Sequence, residues 1–293
     1  MFHGNKPDTY PNKPYPKMKK NMKATLILLL AQLSLPVVAT ASDEIQPGWN
    51  GQYEHLEFNL TWLFVPGGIA IIQAEPIDHR NNTVFHIQAC TNPTLDLIHK
   101  VRDSIRTTAK VDQMNYRSLK YRFKQQEGRR RQDLEIAFQN NNRLEVKDNK
   151  LKETKQYQVP ENTIDLVTAF FKSRSLALEV GKSYDIPVFD KNKQYVLKIE
   201  VLEENFIKTI FGNETDTVVI RPKMESEGIF ARKGEVRIWL TNDEKRIPVR
   251  METKVKIGKI VAELAKIQTN SSIQALSTKA CEQDISNQLA TKN

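Results

Sequence analysis

The sequence predicts a mainly β protein: one antiparallel, strongly curved sheet, a barrel or half-barrel of about 10–13 strands, with one mid-chain amphipathic helix. Three observations carry this. Apolar residues alternate with polar ones along most of the chain, which is the period of a half-buried strand. Turn residues punctuate the alternation at intervals of roughly 8–12 residues. A single segment switches to spacings of three and four, the period of a helix. So many strands cannot remain flat; they curl or split into two layers. No low-complexity linker and no internal repeat divides the chain, so residues 42–267 read as one β domain, followed by a polar tail at 268–293.

Residues 1–41 read as a leader. Lys17, Lys19, Lys20 and Lys23 precede an apolar run from Ala24 to Val38, and Ala39-Thr40-Ala41 is a small-x-small site before Ser42-Asp43-Glu44. A basic start, a short apolar core and such a site make a secretory signal peptide. Gln32, Ser34 and Pro36 interrupt the run, which favours cleavage over a membrane anchor. The expectation is a periplasmic protein with no membrane span after cleavage. Export excludes most nucleotide, nucleic-acid and redox-cofactor chemistry.

The first strand places Leu56, Phe58, Leu60, Trp62 and Phe64 on one face. Val65-Pro66-Gly67-Gly68 reads as a turn, because Pro fixes φ and Gly supplies positive φ. Ile69–Glu75 returns as the second arm, and Val84–Cys90 is a third strand. Thr91–Lys100 fits one helical turn after Pro93. Alternation resumes through Ile105–Val111, Leu119–Phe123 and Leu134–Phe138, with weak polar strands over Leu144–Tyr157. Ile164, Val167, Phe170, Phe171, Arg174 and Leu178 then form a helical stripe, with Asn162 as expected N-cap, Asp165 at N3 and Gly181 as the stop. Strands follow at Tyr184–Phe189, Tyr195–Leu202, Phe206–Phe211, Thr215–Arg221, Glu235–Leu240, Ile247–Ile257 and Ile260–Lys266.

The net charge of +9 overstates the basicity of the domain, because the leader holds six Lys and one acid. The remaining mixed-sign surface does not suit a nucleic-acid binder. Four His remain beyond the leader (His55, His79, His86, His99), without metal-ligand spacing, so no metal or cofactor is expected. The two cysteines, Cys90 and Cys281, read either as a disulfide in an oxidising compartment or as two free thiols. No nucleophile elbow, P-loop or zinc-protease motif occurs, so no enzyme is expected. Arg129-Arg130-Arg131 sits at a hairpin tip, where solvated charge is ordinary. Arg174 lies on an apolar stripe and needs a partner on a strand or a route out past the sheet edge. Asp243 and Arg246, between Trp239-Leu240 and Ile247-Pro248-Val249, either clamp a polar ligand or pin their own hairpin.

At these residues the chain resembles the exported Gram-negative proteins filed as domain of unknown function 3108. The resemblance runs over Tyr53–Leu264. It rests on Leu56–Trp62 with Gly67-Gly68-Ile69-Ala70, on Ile164–Phe171 with Arg174 and Gly181, and on Trp239–Asp243 with Arg246–Val249 and Gly258. Asn59, the loop Cys90–Val101 and Leu166 depart from the family pattern. The resemblance implies export and a β-rich fold, and carries no activity with it. Two readings follow. In one, a concave face lined by Phe58, Trp62 and Trp239, with Phe170 and Phe171 on the helix, binds a lipid or another hydrophobic molecule. In the other, a filled fold serves as a non-enzymatic assembly or interaction factor for an envelope protein.

Overall fold

The computed structural model describes residues 48–49, 51–77, 81–225 and 235–269; the expected leader lies outside them. The strands run β1 Glu54–Trp62, β2 Val65–Pro76, β3 Asn82–Thr91, β4 Arg102–Asp112, β5 Asn115–Glu127, β6 Arg130–Phe138, β7 Arg143–Asp148 and β8 Glu153–Gln158. They continue as β9 Ser183–Asp190, β10 Lys193–Thr209, β11 Gly212–Glu225, β12 Val236–Thr241, β13 Pro248–Lys254 and β14 Lys259–Gln268. Helix α1 spans Pro93–His99 and α2 spans Leu166–Arg174. The described residues thus hold 14 strands in one sheet and two helices, against the 10–13 strands and single helix expected.

The sheet is two meanders joined at their oldest and youngest strands. Its order is β8-β7-β6-β5-β4-β3-β2-β1-β14-β13-β12-β11-β10-β9, antiparallel throughout, and it does not close. Alternation decides which side chains face inward: Leu56 and Phe58 share a face with Ile72, Phe85, Tyr121, Ile136 and Leu264 across successive registers. The two ends of the sheet meet through side chains, Tyr157 of β8 lying edge-on to Phe189 of β9 with ring centroids 5.0 Å apart. Each free edge is managed differently. Ile164 lies along β9, its N–H donating to the Pro187 carbonyl and its own carbonyl accepting from the Phe189 N–H, both at 3.0 Å. The β8 edge is blunted by exposed charge, Glu153 and Lys155.

Helix α2 sits inside the curl. Val167 and Phe171 pack among the core residues of β1–β8, and Ala169 packs with Ile186, Leu197, Val218 and Leu240 of β9–β12. Its start differs from the expectation at Asn162. Asp165 is the N-cap, accepting from the N–H groups of Val167 and Thr168, while Asn162 sits at φ 60° in the preceding turn. The helix ends at Arg174, short of Leu178, and Gly181 lies in the loop beyond.

The first hairpin also differs. Trp62 pairs with Val65, so the turn is Leu63-Phe64, and both residues have positive φ, 48° and 67°. Pro66, Gly67 and Gly68 belong to β2. Gly68 cannot carry a side chain there, since an added Cβ would meet the Cys90 carbonyl oxygen at 2.0 Å. The expected strands Tyr195–Leu202 and Phe206–Phe211 are one long β10 through most of their length, and beyond Glu200 and Thr217 its hairpin with β11 projects as a two-stranded arm.

Candidate functional site

The interior, the first place to look for a hydrophobic ligand, is occupied. Phe171 is fully buried and stacks on Phe85 at 3.9 Å, with Trp49 edge-on to both. Phe58 is buried on the inner face of β1, and Phe170 is half-buried with its ring 5.4 Å from that of Phe171. Trp62 is at the end of β1, half-buried, its indole N–H donating to the Ile257 carbonyl at 2.9 Å. Trp239 does not share their face. Its register row runs through Arg250, Glu263 and Asn59, opposite to Phe58, and the Arg250 guanidinium lies 5.7 Å from its ring. Bulges between Trp239 and Leu240 and between Glu57 and Phe58 separate this row from simple alternation. The five aromatic candidates are therefore not walls of one hollow.

Charge holds the helix in its seat. Arg174, 0% exposed, makes a bidentate pair with Glu54 at 2.7 and 2.9 Å and donates to the carbonyls of Arg246 and Lys245 at 2.9 and 3.0 Å. Asp165, equally buried, accepts from Thr107, Ser118 and Thr168 hydroxyls as well as from two backbone N–H groups. Both charges are held by several hydrogen bonds, four from the Arg174 guanidinium and five to the Asp165 carboxylate, which is the condition for burying charge at tolerable cost. Asp243 and Arg246 do not form a clamp. Asp243 accepts from the Thr241 hydroxyl and from the N–H groups of Lys245 and Arg246, and Arg246 donates to Asn242 at 2.7 Å. They pin the β12–β13 hairpin, whose carbonyls receive Arg174. Glu54 and Trp49 are the residues here that the sequence did not flag. A cavity of about 70 Å³ adjoins them, between Gly48, Tyr53 and Lys245. Cys90 is buried and disulfide-bonded; Cys281, the partner the sequence offers, lies outside the described residues.

The exposed chemistry gathers at one end of the sheet. Antiparallel order brings the β1–β2, β5–β6, β7–β8 and β13–β14 turns to the same end as α1. Their contacts form a continuous rim. Trp62 holds Ile257, Asn92 Nδ2 donates to the Pro66 carbonyl at 2.7 Å, Gly128 N–H to Lys100 at 2.8 Å, and Lys150 Nζ reaches the Arg131 carbonyl at 3.5 Å. On this rim Phe64 is 94% exposed, Leu97 88%, and Ile98, Leu151 and Ile257 are each more than half exposed. A groove of about 370 Å³ runs beside Leu63, Phe64 and Val261, with Lys254 and Lys259 among its walls. Positive φ at Leu63 and Phe64 costs strain that an Asn-Gly pair would avoid. Two large apolar residues are held in solvent there at the expense of stability.

The chain is thus a one-sheet half-barrel wrapped around its own helix, with exposed apolar side chains at one rim and a filled interior. The chain belongs to the family described as protein of unknown function (DUF3108), whose model matches residues 57–265. No curated protein matches it. Among solved structures it is similar to a β-barrel-like protein of domain of unknown function DUF1849 from Brucella abortus, at 10% identity and a TM-score of 0.53, over 75% of this chain and 99% of that one. That likeness supports the β-barrel-like fold. Among the described residues no helix is long and apolar enough to cross a membrane.

Proposed function

We propose that this chain is an exported, non-enzymatic interaction factor of the cell envelope that binds through its rim. One observation carries the reading: the interior is packed with the chain's own helix, while large apolar side chains stand in solvent at one end, two of them on a strained turn. Large apolar side chains gathered on neighbouring turns at one end of the fold, and held in solvent by a strained turn, support a binding surface there. An intramolecular lipid carrier needs a hollow of some 300 Å³ or more; the cavity beside Trp49 is far smaller, and the groove of about 370 Å³ belongs to the rim, beside Phe64. Periplasmic location is part of this proposal and is supported by the leader read at residues 1–41.

The test is co-sedimentation with isolated envelopes. The double variant Phe64→Ser, Ile257→Ser should unfold within about 2 °C of the parent, as exposed substitutions do, and should sediment several-fold less. Equal sedimentation of parent and variant would remove the rim from consideration. A parent that stays in solution would overturn the reading altogether.

A further inference from the structure

We propose that the rim docks on the surface of an anionic lipid bilayer. This rests on the rim being the interaction surface, and names what it meets. The exposed apolar residues stand in small groups on separate turns: Leu63, Phe64 and Val65 on the first, Leu97 and Ile98 on α1, Leu151 and Ile257 each on another. Such points can enter the boundary between headgroups and acyl chains separately, burying roughly 5–10 Å. A protein interface would instead gather them into one packed core with a polar surround.

Charge supplies the second, independent observation. Arg129 and Arg130 on the β5–β6 turn, Lys152 beside Leu151 and Lys256 beside Ile257 stand exposed at the same end and have no ion pair among the described residues. The acids at this end are mostly engaged. Asp96 is paired with Arg102 at 2.6 Å, Glu153 with Lys155 at 2.9 Å, and Asp148 accepts from the N–H groups of Lys150 and Leu151. Glu127, Asp103 and Asp148 have no ion pair among the described residues, but Arg131 and Lys150, which donate only to carbonyls, add to the four free cations, so the balance at this end is positive.

The molecule contains its own control. The β10–β11 arm at the opposite end also exposes aromatic residues, Phe206 at 66% and Phe211 at 48%. The arm itself carries Glu203, Glu204, Glu214 and Asp216 against the single cation Lys208, with Arg246 beside Glu204 and Asp216 at its base. An anionic surface repels that end and attracts the rim, so the field of the protein orients it before contact. Each cation near an anionic membrane is worth about fivefold in partitioning at moderate salt.

The test uses the chain from Ser42 onward, which contains the whole compact unit Glu44–Asn293 and removes the basic leader as a confounder. It is sedimented with phosphatidylethanolamine vesicles containing phosphatidylglycerol and with pure phosphatidylcholine vesicles. Binding to the first, weak binding to the second and loss at high salt are expected. Arg129→Gln, Arg130→Gln, Lys152→Gln and Lys256→Gln together should weaken it at least tenfold, and Phe64→Ser with Ile257→Ser should do the same. Phe206→Ser with Phe211→Ser should leave it unchanged. Circular dichroism verifies that each variant is folded. No vesicle binding, or equal binding by rim variants, overturns the proposal. If intact envelopes retain the parent in a Phe64-dependent manner while lipid vesicles do not, the partner is an envelope protein; the interaction reading then stands and the lipid proposal falls.

Discussion

Arg174 is the residue on which the interior turns. A guanidinium with 0% exposure is affordable because Glu54 and two carbonyls satisfy it. Removing one partner leaves the other charge buried alone, so Glu54→Gln should destabilise by about 3–5 kcal/mol in urea unfolding. Replacing both, as Arg174→Met with Glu54→Met, should cost much less than the sum of the single changes. Strict additivity would show that the pair is not coupled. His86 sets a pH dependence. Burial, and secondarily Arg106, lower its pKa from 6.5 to about 4. The unfolded chain therefore takes up a proton below about 6.5 that the folded protein refuses until about 4. Stability from this group is full above that window and falls as pH drops through it, by at most about 3 kcal/mol. His86→Gln should flatten the urea midpoint between pH 7.5 and 4.5 relative to the parent; an unchanged slope would assign the acid sensitivity elsewhere.

At the scale of elements, α2 depends on a cap that tertiary structure chose. Asn162 and Asp165 are both good N-cap residues by type. Ser118 and Thr107, supplied by β5 and β4, select Asp165 by presenting hydroxyls that only its carboxylate reaches. Local spacing could not show this. Asp165→Ala removes the cap and strands the Ser118 and Thr168 hydroxyl donors, while Thr107 keeps the Lys120 carbonyl, so a loss of about 3 kcal/mol is expected. Asp165→Asn keeps one capping oxygen and should cost less; the reverse order would contradict the geometry. The strand faces of β1 to β6 were legible because period-two alternation leaves one solution once a face is apolar. It failed at the end of β1. Extrapolating the pattern through Phe64 put that ring inside, and the Pro-Gly-Gly run drew attention to a later turn. Nothing in turn chemistry anticipates Leu-Phe at positive φ. Phe171→Ala should accordingly cost about 3–5 kcal/mol, whereas Trp62→Ala, at the half-buried strand end, should cost clearly less and loosen the β13–β14 turn that its N–H holds. Equal losses in thermal unfolding would place Trp62 in the core after all.

For the molecule as a whole, the curved one-sheet fold was readable from pattern and strand number, and the helix from its change of period. The contents of the curl were not. Whether a barrel is hollow depends on which side chains meet across it, and Glu54 and Arg174 are 120 residues apart. Thiol titration of unfolded, unreduced protein bears on the whole-chain constraint, since Cys90 is disulfide-bonded: no free thiol is expected, and two per chain would refute it. The pairing of β1 with β14 has a consequence in time. His55 sits opposite Gln268, so the earliest strand to emerge finds one of its neighbours only when the last has arrived. Contacts so distant in sequence are formed slowly and late. Until then the two meanders are separate open sheets, each with a raw edge exactly where the other belongs, and α2 has only part of its seat. On the export route proposed above, such an order withholds the step that locks the shape until threading across the membrane is nearly done.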